Sequence, residues 1–221
     1  MIRLATALLA LGLTTSTSAW AGNDDLDIDK VNGSIHVPDN ATVGKLSTVN
    51  GSIRIGANAH AKSAETVNGG IDLDSGAVVE SLETVNGGIR VGDKSRITQT
   101  IEAVNGSITL REGVDVAGKA SNVNGSIKLD QAHVGGGIET SSGDITIGAN
   151  SRVEGGVVVN EDHSWFHVST HKPHIVIGPH ATVQGTLLFK REVELYVSDS
   201  ATVGKIEGAT PHKFSGAQPS D

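Results

Sequence analysis

The chain has no cysteine, one methionine, one tyrosine, two tryptophans and three phenylalanines in 221 residues. A chain without cysteine has neither disulfide staples nor thiolate chemistry, so stability must come from stacked backbone hydrogen bonds and aliphatic packing. So few aromatic rings leave a large core only one way to form, as a thin and regular one. A basic surplus is also missing: 17 Lys and Arg face 25 Asp and Glu, a formal charge of −8. That balance argues against nucleic acid or anionic lipid as the main partner, since both need a basic face. No Gly-rich phosphate loop leads from a strand into a helix, and no carboxylate, histidine and serine stand at a recognisable catalytic spacing.

The start of the chain carries a targeting pattern. Arg3 supplies a positive charge, Leu4 to Leu13 an apolar run, and Ala19-Trp20-Ala21 a small-x-small cleavage signature. The run is too short, and too closely followed by Thr and Ser, to span a bilayer. Residues 1–21 therefore read as a cleaved secretory signal with the mature start at Gly22. The expected location is the periplasm or the cell surface, with no transmembrane segment after cleavage.

What the chain has in abundance is repetition. Val-Asn-Gly begins at Val31, Val49, Val67, Val85, Val104 and Val123, at intervals of 18, 18, 18, 19 and 19 residues, and a degenerate copy begins at Ser141. A fixed short period marks a solenoid, in which each repeat buries its apolar face only against its neighbours. Within each coil the alternation predicts three short strands. The first carries inward pairs such as Ile35/Val37, Ile53/Ile55, Ile71/Leu73 and Ile89/Val91, separated by one outward residue. That outward column reads His36, Arg54, Asp72, Arg90, Thr109, Lys128, Thr146, and its alternating signs fit in-register stacking. The second strand sets a small inward residue beside a larger one, as in Ala77/Val79 and Ser95/Ile97. A third apolar column is Leu46, Ala64, Leu82, Ile101, Ala120 and Ile138. The nineteenth residue of the longer coils falls between the second and third columns.

Asn-Gly at the corner suits a bend that needs positive φ. Stacked copies of Asn32, Asn50, Asn68, Asn86, Asn105 and Asn124 are expected to form a side-chain amide ladder. The rival is a meander of Asn-Gly hairpins, but a period of 18 holds three strands rather than two. The Asn-Gly-Ser sequons at Asn32, Asn50, Asn105 and Asn124 follow from turn chemistry.

Residues 160–174 match no column and read as an insertion. Two further coils follow, Ile175 to Leu187 and Leu195 to Ile206, making about nine. The expected fold is thus all-β: a single parallel β-helix over residues 31–207, right-handed on the general crossover preference. An acidic cap occupies residues 22–30, and a disordered tail residues 208–221.

Val-Asn-Gly-Ser/Gly-Ile units behind an export signal resemble the bacterial adhesin-type β-strand repeat family (domain of unknown function 4097), over roughly Val31 to Val159. The C-terminal coils, with Ile-Gly-Pro-His-Ala-Thr-Val-Gln-Gly-Thr-Leu from Ile177, look like bactofilins, which are polymer-forming β-helical proteins. The export signal departs from the bactofilin pattern. The solenoid and these resemblances together imply a structural or adhesin-like rod that presents a repetitive surface to a cell-envelope or extracellular protein or polysaccharide; the unpaired strand edges of its terminal coils, the C-terminal one above all, make end-to-end stacking the expected route to a homo-oligomer.

The alternative is an enzyme or a metal-binding protein built on residues 160–180. Ile147-Gly-Ala-Asn-Ser-Arg-Val153 has hexapeptide-repeat spacing, although that phase is lost at every Val-Asn-Gly corner. His163, His167, His171 and His174, with His180 close behind, are candidate ligands for Zn²⁺ or Cu²⁺. The bland reading of the same histidines is a solvated loop. No catalytic or cofactor-binding residue is assigned.

Overall fold

A computed structural model describes residues 26–161 and 172–219. The described elements are all strands, stacked in parallel as a β-solenoid of about ten turns. None of the described residues lies in a helix long and apolar enough to cross a membrane. One face is a ten-stranded ladder running from Ile35–Val37 to His212–Phe214. Its register sets Ile53 opposite Ile71, Ile71 opposite Ile89, and Ile108 opposite Ile127. Ten rungs about 4.8 Å apart make a rod of about 43 Å.

The second and third columns form two more ladders, joined into one 16-stranded sheet. They join at His60–Asn68 and Val78–Asn86, where a single nine-residue strand runs through both columns. Those 18-residue coils carry two strands rather than the expected three, because no spare residue interrupts the ladder. In the two 19-residue coils Arg96–Ile97 is separate from Ile101–Asn105, and Asp115–Val116 from Ala120–Asn124. The extra residue sits where the spacing placed it and turns a bend into a corner.

Inside, the three columns meet. Ile71, Ile89, Val79, Ile97 and Ile101 are all 0% exposed, and burying each such side chain contributes about 1.5–3 kcal/mol. Small residues opposite large ones, such as Ala77 beside Val79, fill the narrow interior without strain. The buried hydroxyls of Thr48, Thr66 and Thr84 donate to the carbonyls of Gly33, Gly51 and Gly69, one coil earlier, at 3.1, 2.8 and 2.9 Å. These three hydroxyls are thereby tied to the corner.

At that corner the reason for glycine differs from the expected one. Gly33 and Gly125 have positive φ, but Gly51, Gly69, Gly87 and Gly106 do not. What excludes a side chain there is the coil above: a Cβ on Gly69 would run into the carbonyl of Gly51, and one on Gly87 into the carbonyl of Gly69. The left-handed residues lie at a different corner, between the first and second strands. They are Asn40, Asn58, Gly76, Lys94, Gly113, Gln131, Asn150 and His180, with φ between 48 and 74°.

The C-terminal end departs from expectation too. Residues 208–221 were expected to lack order, yet His212–Phe214 pairs in parallel with Glu194–Ser198 and supplies the tenth rung. Phe214, 8% exposed, is the apolar anchor that makes this rung favourable, and its carbonyl accepts from the Asp199 N–H. At the other end Ile28–Asn32 is a first rung against Lys45–Asn50, with Ile28 stacked on Leu46. The Asp27 carboxylate accepts from the Lys45 N–H at 2.7 Å, so the acidic segment caps donors at the start of the ladder.

Gly87→Ala should lower the unfolding free energy by about 1–3 kcal/mol through overlap with the neighbouring backbone, read by urea denaturation. Native stability in that variant would contradict the close-approach account.

Candidate functional site

Among the described residues the interior is filled mainly by aliphatic side chains, with a few buried hydroxyls and amides among them, so the charged chemistry of the rod lies on its outward columns and corners. The amide ladder is present: Nδ2 of Asn50, Asn68, Asn86, Asn105 and Asn124 donates to Oδ1 of Asn32, Asn50, Asn68, Asn86 and Asn105 at 2.9–3.1 Å. All six side chains are exposed. The row stops where the degenerate copy puts Ser142 in the asparagine position, and Arg191 donates there to the Ser141 carbonyl and the Ser142 hydroxyl.

Of the histidine cluster, His163, His167 and His171 lie outside the described residues. His174 faces outward on the strand His174–Ile177, its ring 4.8 Å from that of Tyr196, which lies 5.5 Å from the ring of His212. The backbone N–H of His174 donates to Asp144. His180 occupies the left-handed corner. Both histidines thus have structural places, and no three His, Asp or Glu among the described residues are arranged to hold a metal ion.

Outward on the first face, Arg54, Asp72 and Arg90 stand in register. Arg54 grips Asp74 through two nitrogens at 3.0–3.2 Å, and Arg90 reaches Asp72 at 3.2 Å. These groups, with Asp39 and Arg111, line an open trough of about 530 Å³. It is a surface of alternating charge. On the second face the column runs Arg96, Asp115, His133, Arg152. His133 Nδ1 lies 2.6 Å from Asp115, its Nε2 3.4 Å from Glu154, and Arg152 bonds Glu154 at 3.1 Å. Arg96 over Asp115, 3.6 Å apart, sets opposite charges on neighbouring rungs.

The third face breaks that rule. Glu65, Glu83 and Glu102 are directly opposite one another on successive rungs. None of the three makes an ion pair with a described residue. Burial, with Glu65 and Glu102 on either side, holds the Glu83 carboxyl above the usual glutamate range. Lower on the same face Glu139 shows the opposite solution. Burial raises it, but Lys119 at 2.6 Å and Asn160 at 2.7 Å outweigh that and hold it below the usual range. The sequence carries this column as Glu-Thr-Val-Asn-Gly at Glu65 and Glu83, two residues before each valine.

The folded chain binds the Glu83 proton more tightly than the unfolded chain does. Ionised Glu83 therefore weakens the fold at neutral pH, and the penalty fades as pH falls through the raised value and vanishes below the ordinary one. Glu83→Gln should be more stable than the native chain near neutrality by a few tenths to about 1 kcal/mol. In thermal melts that gap should close towards about pH 4; a gap constant with pH would contradict the repulsive column.

Against known proteins, the chain matched no family model, no curated protein and no solved structure.

Proposed function

We propose that the chain is an exported structural or adhesin-like rod that presents repetitive polar columns to a cell-envelope or extracellular protein or polysaccharide. The observation carrying this reading is the unbroken stack itself. About ten turns hold Arg54, Asp72 and Arg90, and beyond them Thr109 and Lys128, at one repeating interval along the first face. A rigid array with that spacing suits a ligand that repeats, such as a polysaccharide or an extended chain, because many weak contacts then act together. Export rests on the signal pattern of residues 1–21, and the family likeness on the Val-Asn-Gly units.

Two measurements test the reading. Expressed in a Gram-negative host, the full chain should be recovered from the periplasm or cell surface with Gly22 as its first residue; cytoplasmic protein beginning at Met1 would contradict export. Purified protein should bind cell-envelope fractions saturably, and the triple variant Arg54→Ala, Arg90→Ala, Lys128→Ala should bind at least several-fold more weakly. Equal binding by the two proteins would remove the first face from the account.

A further inference from the structure

Three stripes run side by side on the third face: the carboxylates Glu65, Glu83 and Glu102, the valines of Val-Asn-Gly, and the asparagine ladder. The valines point outward. Val31 is 43% exposed, and Val49, Val67, Val85, Val104 and Val123 are half-buried between a buried residue and an exposed asparagine. Apolar side chains on an open sheet face, flanked by carboxylates that have no cation among the described residues, are unfavourable for a rod that stands alone.

We propose that two copies of this chain pair side by side, third face against third face and with their axes parallel, about a two-fold axis that runs along the rod. The order of the stripes carries the inference. Rotation about such an axis exchanges left and right, so the carboxylate stripe of each copy falls opposite the asparagine ladder of the other. Glu to Asn is three residues, about 10 Å at ~3.3 Å per residue. The axis that superposes those two stripes lies half a residue to the glutamate side of valine. The two valine rows then sit about one residue apart and interdigitate, as side chains of facing sheets do. Rung meets rung, so Glu83 faces the partner's Asn86. Each amide uses one of its two N–H groups along its own ladder, which leaves the second to donate to the opposing carboxylate. A two-fold axis across the rods instead of along them would set glutamate on glutamate, and the interface selects against it.

Six rungs at ~4.8 Å by about 13 Å of strand is a small patch, below the ~800 Å² per partner of a standard interface. The pairing is therefore weak and concentration-dependent. It uses the side of the rod and leaves both ends free, and it does not depend on export.

Single-cysteine variants of the otherwise cysteine-free mature chain test both the contact and its direction. Val49 and Val123 are four rungs apart, about 19 Å, and a bis-maleimide shorter than that separation is the probe. At high protein concentration Val49→Cys should cross-link to itself and Val123→Cys to itself, whereas a tagged Val49→Cys mixed with Val123→Cys should give no mixed product. Mixed product would mean opposed rods and would overturn the proposal. Cross-linking no greater than that of Thr109→Cys, on the first face, would overturn it as well, and would assign the striped face to another partner. Sedimentation velocity gives the second readout. The native chain should shift towards twice its monomer mass as concentration rises, and Val85→Asp should remove that shift while melting at a native-like temperature. A native chain that stays monomeric under the conditions where the cross-link is sought would count against the pairing.

Discussion

At the Val-Asn-Gly corner one coil's backbone lies directly on the next, with no room for even a methyl group between Gly69 and the Gly51 carbonyl, or between Gly87 and that of Gly69. The N–H of Gly51 donates to the Asn68 carbonyl and that of Gly69 to the Asn86 carbonyl. The hydroxyls of Thr66 and Thr84 donate to the Gly51 and Gly69 carbonyls from inside, and the amide ladder ties the corner from outside. A contact this close fixes the axial phase of each coil. Everything else inherits that phase: the isoleucine columns stack without slippage, and a one-residue slip would turn each of them towards solvent.

The same fixed phase governs the surface. Any outward residue type repeated at the coil period becomes a column at the strand spacing, so the sequence decides whether that column attracts or repels itself. On the first face signs alternate, and on the second Arg96 stands over Asp115, so neighbouring charged rungs attract, as Arg90 and Asp72 do. On the third face three glutamates coincide, and the fold tolerates them because the contacts beneath are many and the repulsion at a half-exposed site is small. Residues that weaken a fold without serving it are natural candidates for contact with something else. The valine and asparagine stripes beside them give that contact a shape.

Much of this architecture was legible because aliphatic residues at a strict period admit few arrangements. Ile53, Ile71 and Ile89 could share a column only by stacking in register, and the nineteenth residue could be accommodated only at a corner. The conformation of the corner was less legible, since glycine answers both to positive φ and to close approach, and the sequence does not say which is at work. Lys94, Gln131 and His180 hid the true left-handed column, because none of them resembles a residue chosen for that conformation. The final rung escaped notice for a different reason. His212–Phe214 is too short to show alternation, and Phe214 alone makes it worth forming. As for the candidate site, the asparagine ladder was readable from spacing. The glutamate column was readable in principle, and the charge pairs of Asp115, His133 and Glu154 depend on side-chain reach that spacing does not encode.

The asparagine ladder is the most direct witness to in-register stacking, because its side chains meet only if every coil keeps the same phase. Nuclear magnetic resonance of labelled protein should show a coupling across the hydrogen bond from the Asn86 side-chain nitrogen to the Asn68 side-chain carbonyl carbon, with slowed exchange of that amide proton. Asn86 and Asn68 amides that exchange freely, with no coupling between them, would contradict the stacked corner on which this account of the molecule rests.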